Sequence, residues 1–314
     1  MDAPRVSAVI PSRNRQAMVV GAARTALAQE GADVEVCVVD DASEPPVELP
    51  AELAERVTLV RFDSQRGPGA ARNAGLAATS AELVAFLDDD DAWLPGKLAR
   101  QLAALDEHAV AVACGFEVWD GAGLVASYLP PTPFEARELL AHPCLWPSTV
   151  LMRRTAVEDA GGFDATLPRV QDWDLWLRMA DLGRVEIVPE VLVDRRWAPL
   201  APETARAARA MIAPRIEERL ARVPVREARR LSSRRRSDDG VVLARLGMRR
   251  AAARELIRAW AESPGSLLPA RGLARVAAGE RAWLAAARLA QPVRRRLRRR
   301  PPRPPGPAPL WTGP

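Results

Sequence analysis

The sequence predicts an α/β protein with a mostly parallel central sheet. Four apolar runs, at residues 6–10, 34–39, 57–62 and 82–87, are separated by segments with helical periodicity such as 16–29. Continuous apolar runs that alternate with helices are typical of parallel strands covered by helices on both faces. In such sheets ligands bind beyond the carboxyl ends of the strands, so we expect the site there.

The elements that follow extend this pattern. Trp173, Trp176, Leu177 and Ala180 recur at helical spacing, which predicts an amphipathic helix within residues 161–183. Both tryptophans are interpreted as core residues, with a place in an acceptor site as the alternative. The remaining segments predict a helix at 97–105, strands at 109–119 and 124–129 around a turn, a strand at 148–154 and a closing strand at 184–189.

Charge divides the chain into two regions. Residues 1–200 contain 18 basic and 31 acidic side chains, whereas residues 201–314 contain 27 basic and 9 acidic ones. This asymmetry indicates regions with different partners. We expect a catalytic domain over 1–200, an Arg/Ala-rich helical region over 201–300 and a proline-rich, disordered tail over 301–314.

Composition argues against several classes of protein. The chain contains no stretch of about 18 uninterrupted apolar residues, which a membrane-spanning helix needs. Its N-terminus lacks the pattern of a signal peptide, so a cytoplasmic location is expected. Cys37, Cys114 and Cys144 lie far apart and are expected to be buried small residues. Together with His108 and His142 they show no zinc-binding spacing.

The acidic run Asp88–Asp91 directly follows the apolar run 82–87. At an effective dielectric near 20, two like charges about 4 Å apart repel by roughly 4 kcal/mol. Residues two apart in an extended segment face the same way, so Asp88 and Asp90 are expected to point together into the crevice, with Asp89 and Asp91 turned away. Paired carboxylates suit a divalent cation, whose charge would offset their repulsion. The alternative is a solvated acidic turn that caps the next helix.

Four segments in order, "VSAVIPSRNR", "EVCVVDDAS", "RGPGAARNAGLAATSAELVAFLDDDDAWLPGKLARQ" and "GGFDATLPRVQDWDLWLRMADLG", resemble a family 2 glycosyltransferase over residues 5–197. The resemblance implies the GT-A, or nucleotide-diphospho-sugar transferase, fold, followed here by a C-terminal α-helical region. It also implies an inverting transfer of a sugar from a nucleotide-diphosphate donor to an acceptor hydroxyl.

The resemblance also implies which residues bind the donor. Asp41 matches the carboxylate that hydrogen-bonds the base or ribose. Asp88 and Asp90 match the D-x-D that binds a divalent cation, Mn²⁺ or Mg²⁺, on the donor diphosphate. The other positions expected to border the nucleotide sugar are Pro11, Ser12, Arg13, Asn14, Arg72, Asn73, Asp88 and Asp89. For Arg72 the alternative is an ion pair with an acid of the run Asp88–Asp91.

Asp172 matches the family's catalytic base, which takes the proton of the acceptor hydroxyl. Asp174 is the rival base two residues on. Two positions depart from the family: Gln171 stands where an acid is common, and Arg13 where an aromatic residue is common. These departures leave the pKa environment of the base and the contacts to the donor base open.

The arginine run at 292–303 allows three interpretations. It can contact an anionic membrane surface, placing the enzyme peripherally on the inner face of the membrane, or form a solvated tail. Nucleic-acid binding is not expected, because basic residues do not alternate with aromatic ones. For the whole chain the alternatives are a nucleotidyltransferase, against which the glycine-free loop "PSRNRQ" argues, and a non-catalytic membrane or nucleic-acid adaptor.

Overall fold

A computed structural model describes residues 3–196 and 201–278 of the chain. They form two compact units, one of residues 3–136 and 144–196 and the other of residues 137–143 and 201–278. The arginine run at 292–303 and the predicted proline-rich tail at 301–314 lie outside the described residues.

The first half of unit 1 contains the strand–helix units that the apolar runs predict. Its elements are β1 (Arg5–Ser12), α1 (Gln16–Leu27), β2 (Asp33–Asp40), α2 (Ala51–Ala54), β3 (Val57–Arg61), α3 (Pro68–Ala77) and β4 (Leu83–Phe86).

The chain continues through a second set of elements, of which α5 belongs to unit 2. They are β5 (Ala92–Trp93), α4 (Lys97–Ala104), β6 (Ala109–Asp120), β7 (Gly123–Tyr128), α5 (Glu138–Ala141), a short 3₁₀ helix (Pro147–Thr149), β8 (Val150–Arg153), α6 (Arg154–Asp159), α7 (Gln171–Met179) and β9 (Arg184–Arg196).

The strands of unit 1 form one mixed sheet in the order β3-β2-β1-β4-β8-β6-β9-β5, with β7 paired to β6. β3, β2, β1 and β4 are parallel, as the sequence predicts. β8 is antiparallel to both of its neighbours, and β5 is antiparallel to β9. β6 and β9 are parallel to each other, so six of the nine described strands run in one direction and only β5, β7 and β8 oppose them, in agreement with the predicted mostly parallel sheet. An apolar run predicts a buried strand, but the direction of that strand depends on the connection that precedes it.

The core of unit 1 lies between the sheet and the helices on its faces. On one face α1 packs fully buried alanines, including Ala22, Ala23 and Ala26, against the sheet. α3 approaches β1 so closely that a Cβ on Gly75 would lie 2.3 Å from Cγ1 of Val9. This close packing holds α3 next to the carboxyl end of β1.

Lys97, the only lysine of the chain, is fully buried at the start of α4. Its Nζ donates to Oε1 of Gln101 at 2.7 Å and lies 4.2 Å from the centroid of the Trp93 ring. Gln101 donates to the carbonyl oxygens of Val112 and Thr149 at 2.7 and 2.9 Å. Burial lowers the pKa of Lys97 from 10.5 to about 8, because water no longer solvates the ammonium group.

Replacing Lys97 by methionine is expected to change how the free energy of unfolding depends on pH. Between pH 8 and 10.5 Lys97 is largely protonated in the unfolded chain and largely neutral in the folded chain. The unfolded chain therefore binds more protons than the folded chain, so the free energy of unfolding of the wild type rises with pH in that window. The stability of Lys97→Met minus that of the wild type should therefore shrink by on the order of 3 kcal/mol from pH 8 to pH 10.5.

Urea unfolding at both pH values measures this change. The difference between the two proteins is the informative quantity, because Cys37, whose pKa burial raises to about 11, titrates with the opposite effect in both. A stability difference that stays constant across the window would contradict the lowered pKa.

Unit 2 is helical. α8 (Pro202–Leu220), α9 (Val225–Arg245), α10 (Arg249–Glu262) and α11 (Leu267–Ala278) account for the predicted Arg/Ala-rich helices as far as the described residues extend. Leu256 of α10 packs against Gly240 of α9 and Gly272 of α11. A Cβ at either glycine would lie within 2.5 Å of the Leu256 side chain, so the three helices pack closely there. No helix in residues 3–196 and 201–278 is long and apolar enough to cross a membrane.

Candidate active site at the carboxyl edge of the sheet

The acidic run after β4 forms a turn rather than an extended segment. The backbone N–H of Asp91 donates to the carbonyl of Asp88 at 3.0 Å. Nη1 of Arg15 contacts Oδ1 of Asp89 at 2.8 Å and Oδ2 of Asp90 at 2.9 Å. The extended backbone on which the expected facing of these carboxylates depended is therefore wrong, because the alternation of side chains holds only in an extended chain. Asp88 and Asp90 are nevertheless half-buried, whereas Asp89 and Asp91 are buried.

Three arginines from different elements pair with the four carboxylates. Besides Arg15 at the N-terminus of α1, Nη2 of Arg72 on α3 lies 2.6 Å from Oδ1 of Asp88. Nε of Arg195 on β9 lies 3.2 Å from Oδ2 of Asp91. Arg195 also stacks on two aromatic rings, Phe116 at 5.2 Å and Trp146 at 5.1 Å. Arginine side chains thus offset the repulsion for which the sequence predicted a metal ion.

Two serine hydroxyls hold the turn in place. Ser12, at the end of β1, donates to Oδ2 of Asp89 at 2.7 Å. Ser148, in the 3₁₀ helix, donates to Oδ2 of Asp91 at 2.6 Å and accepts the backbone N–H of Asp88 at 3.1 Å. Both serines are buried. The Ser12 hydroxyl is thus engaged with the turn, and its predicted contact with a donor stays a prediction.

Burial dominates the electrostatics of the turn. It raises the pKa of Asp89 to about 6 and that of Asp91 to about 7, against the opposing effect of Arg15 and Arg195 respectively. Burial also raises the pKa of Asp90, and the neighbouring Asp88 charge raises it further. A cation that bound these carboxylates would stabilise their charged forms.

Asp172 lies in the first turn of α7, partly buried. Burial raises the pKa of its carboxyl, Arg72 opposes that shift, and Asp88 adds to it. The charges of Arg72 and Asp88 thus reach Asp172, although 100 residues separate Arg72 from Asp172. A carboxyl with a raised pKa and a nearby cation suits proton abstraction.

The rival acid has a different environment. Asp174 is buried, and its Oδ2 accepts from Nη2 and Nε of Arg178 at 2.7 and 3.1 Å. It therefore forms an ion pair within α7. Trp173 and Trp176 are also buried, in agreement with their interpretation as core residues.

The loops after β1 and β2 form the predicted nucleotide edge. Asp41 accepts the backbone N–H groups of Arg66 and Gly67 at 2.6 and 2.9 Å, so it shapes the loop that starts α3. Asn14 has a left-handed backbone, with φ of +56°. Its N–H donates to Oγ of Ser43 at 2.8 Å. These contacts are among protein groups, and direct contacts of Asp41 and Asn14 with a donor stay predictions.

The other predicted donor residues occupy different environments. Pro11 is buried within β1, opposite Val39 of β2. Arg13 is exposed on the loop after β1. Asn73 hydrogen-bonds the backbone of Phe163 through both polar atoms of its amide. Its predicted contact with the donor also stays a prediction.

The turn offers a restricted set of metal ligands. Among the described residues, no group of three or more His, Cys, Asp or Glu side chains is arranged to hold a metal ion. Asp88 and Asp90 are nevertheless close enough for their charges to interact. Two carboxylates fit the way in which Mg²⁺ is commonly bound, through one or two protein oxygens completed by substrate phosphates.

Sequence reasoning missed Arg15, Ser148 and Arg195. Arg15 adjoins the "PSRN" segment and was within reach of the motif. Ser148 and Arg195 carry no local signal, because they meet the turn only when β8 and β9 join the sheet beside β4 and β5.

Comparison with known proteins identifies the family. The model of the family described as Glycosyl transferase family 2 matches residues 7–160. This range includes Asp41, Arg72 and the turn at Asp88–Asp91, here called the acid turn. Residues 7–160 belong to glycosyl transferase family 2. The predicted family is thereby confirmed for this region.

Named relatives of the family 2 domain include two bacterial proteins. The succinoglycan biosynthesis protein ExoO of Rhizobium meliloti is 41% identical over 112 residues, which are 35% of this chain and 32% of ExoO. The UDP-Glc:alpha-D-GlcNAc-diphosphoundecaprenol beta-1,3-glucosyltransferase WfgD of Escherichia coli is 27% identical over 180 residues, 56% of this chain and 70% of WfgD. The match therefore spans about a third of ExoO and under three quarters of WfgD.

The solved structures agree on the fold. S. aureus TarS 1-349 in complex with UDP-GlcNAc has a TM-score of 0.57 at 14% identity, over 94% of this chain and 92% of TarS 1-349. The predicted GT-A fold, with its helical C-terminal region, is confirmed by this likeness.

Proposed function

We propose that this family 2 domain transfers a sugar from a nucleotide-diphosphate donor to an acceptor hydroxyl, with inversion at the anomeric carbon and with a divalent cation at Asp88 and Asp90. The observation that carries the proposal is the convergence of Asp88, Arg72 and Asp172. These three residues come from three separate segments of the sequence: Arg72 and Asp88 form an ion pair, and the charges of both act on the carboxyl of Asp172.

Asp172 acts as the base in this proposal. A carboxylate beside the acceptor takes the hydroxyl proton as the oxygen attacks the anomeric carbon. The bond between that carbon and the diphosphate breaks in the same step, and the nucleoside diphosphate leaves with the bonding electrons. A single displacement needs no covalent intermediate, so the configuration inverts.

Asp88 and Asp90 would hold the cation against the donor diphosphate. When bound, a divalent cation supplies Lewis-acid stabilisation of the leaving diphosphate. Arg72 holds Asp88 through its ion pair and brings positive charge to Asp172. Arg72 thus interacts with both Asp88 and Asp172 before the donor binds.

The names of the relatives suggest the classes of substrate. TarS 1-349 was crystallised with UDP-GlcNAc, and WfgD is named for transfer of glucose from UDP-Glc to a diphosphoundecaprenol-linked sugar. ExoO is named for succinoglycan biosynthesis. We therefore propose a UDP-sugar as donor and a cell-envelope glycan or glycolipid as acceptor. Peripheral contact with the membrane through residues 292–303 stays a prediction.

A donor panel tests the proposal. We expect a UDP-sugar with Mn²⁺ to raise the melting temperature of the purified chain by several degrees. A donor at a free concentration of 100 times its Kd stabilises the folded chain by about 2.7 kcal/mol. UDP-Glc, UDP-GlcNAc, UDP-Gal, GDP-Man and dTDP-Glc are compared with and without Mn²⁺, and release of nucleoside diphosphate is then measured.

The panel, with a parallel assay that supplies a nucleoside triphosphate and a sugar phosphate, also separates the alternatives. Release of pyrophosphate from a nucleoside triphosphate and a sugar phosphate would indicate a nucleotidyltransferase. Absence of any stabilisation or nucleotide release across the panel would count against transfer altogether. A product of retained anomeric configuration, seen by NMR, would contradict the single-displacement step.

A further inference from the structure

Asn73 of α3 makes a two-point contact with the loop before α7. Its Nδ2 donates to the carbonyl of Phe163 at 2.8 Å, and its Oδ1 accepts the backbone N–H of Phe163 at 2.9 Å. The residues are 90 positions apart in the sequence. One amide side chain thus satisfies both backbone groups of one loop residue, as a neighbouring strand would.

The Phe163 side chain extends this contact to the acid turn. The ring is buried and meets the Phe86 ring edge to face, with centroids 4.8 Å apart and planes at 86°. The guanidinium of Arg72 lies 5.3 Å from the Phe163 centroid. Phe86 is the last residue of β4 and stands two residues before Asp88. Phe163 is therefore fixed against the two elements that position Asp88 and Arg72.

The loop has the backbone that this contact requires. Gly161 and Gly162 have φ of +79° and +67°, values that favour glycine. A Cβ on Gly162 would lie 2.9 Å from Oδ1 of Asn73. The pair of glycines in "GGFD" thus lets Asn73 reach the backbone of Phe163.

The same loop leads directly to Asp172. Val170, two residues before Asp172, has φ of +57°, which is strained for a β-branched residue and persists only where the surroundings hold it. At the other end of α7, Nη2 of Arg178 donates to the carbonyl of Gly162 at 2.8 Å. Asn73 and Arg178 therefore anchor the start of the loop from two helices.

We propose that Asn73 is a positioning residue: by binding both backbone groups of Phe163 it sets the loop at 161–170, and through it Asp172, against Arg72 and Asp88. The proposal rests on the proposed function in so far as Asp172 is the base. It assigns Asn73 to the acceptor side of the reaction, in place of the donor contact that the sequence predicts.

The test compares Asn73→Ala with Leu53→Ala in the full chain. Leu53 is buried in α2, within the main core, and is outside the site, so its variant controls for a general loss of stability. Hydrogen exchange is followed by mass spectrometry over residues 161–171. UDP binding in Mn²⁺ is measured by calorimetry, and kcat and KM come from nucleotide release with the preferred donor.

Asn73→Ala is expected to accelerate amide exchange in 161–171 and to lower kcat at least tenfold, since a shift of about 1 Å in a reacting group can cost about 10²-fold. The Kd for UDP should stay within about threefold of the wild type, because the donor side is intact. Leu53→Ala should leave kcat and the exchange of this loop unchanged below its melting temperature.

A double-mutant comparison adds a readout that needs no activity. Gly162→Ala pushes against Oδ1 of Asn73, so part of its effect on the melting temperature should vanish in the Asn73→Ala background. Additive effects of the two substitutions would count against the contact.

Two results would overturn the proposal. One is a rise of more than tenfold in the Kd for UDP with unchanged exchange in 161–171, which would make Asn73 a donor contact. The other is faster loop exchange with wild-type kcat. If the wild type itself transfers nothing, the proposed function fails, and the exchange and double-mutant measurements still decide whether Asn73 holds the loop.

Discussion

Asp172→Asn is expected to lower the rate of glycosyl transfer by about 10²- to 10⁴-fold, the contribution typical of a general base. Asparagine keeps the size of the side chain but cannot accept the proton of the acceptor hydroxyl. Donor binding should change little, because Asp172 belongs to the acceptor side of the proposed site. Steady-state kinetics with the preferred donor, together with calorimetric binding of UDP, measure both quantities.

Asp174→Asn is the matched control. Asp174 lies two residues after Asp172 in α7, and its carboxylate pairs with Arg178 at 2.7 Å, so loss of its charge should lower the melting temperature. Below that temperature the kcat of Asp174→Asn should fall far less than that of Asp172→Asn, because the asparagine oxygen can still accept from Arg178, which anchors the loop before α7. The reverse pattern, with activity lost in Asp174→Asn and kept in Asp172→Asn, would show that the assignment of the base is wrong.

Asp88→Asn is expected to remove the effect of manganese on donor binding. Asp88 and Asp90 are the carboxylates proposed to hold the cation, and a neutral amide is a poorer ligand than a carboxylate for a hard divalent ion. The charge on Arg72, whose Nη2 lies 2.6 Å from Oδ1 of Asp88, would lose its partner. Transfer should fall by about 10²-fold or more, a loss of roughly 2.7 kcal/mol in the stabilisation of the transition state.

Calorimetry of UDP with and without Mn²⁺ isolates this effect. In EDTA the wild type and Asp88→Asn should bind UDP with similar Kd values. Once Mn²⁺ is added, the wild type should bind UDP more tightly than the variant. A variant that gains as much affinity from Mn²⁺ as the wild type would refute the role of Asp88 in cation binding. Transfer at full rate in EDTA would refute the need for a cation.

Much of the fold follows from local patterns. The runs 6–10, 34–39, 57–62 and 82–87 become β1, β2, β3 and β4. β1, β2 and β4 are largely buried and need apolar side chains throughout, whereas β3 is a largely exposed strand at the edge of the sheet. The acidic run Asp88–Asp91 follows β4 and so marks the functional edge, because the carboxyl ends of parallel strands lie at one edge of the sheet.

The second half of the sheet was harder to predict. Strand residues 109–119 and 148–154 are recognisable in the sequence, but β8 runs antiparallel between β4 and β6. The run at 184–189 is only the first part of β9, which continues to Arg196 and brings Arg195 to Asp91. Hydrophobicity indicates that a strand is buried and does not indicate which neighbour it pairs with.

The sequence by itself determined the four parallel strands β1–β4, the family and the segments that follow these strands, because these depend on neighbouring residues and their spacing. Only the tertiary structure decided which side chains neutralise the acid turn. Arg15 and Arg195 lie 74 and 104 residues from their partners. Such ion pairs form when distant strands and helices are packed side by side, and no local pattern of residues encodes that packing.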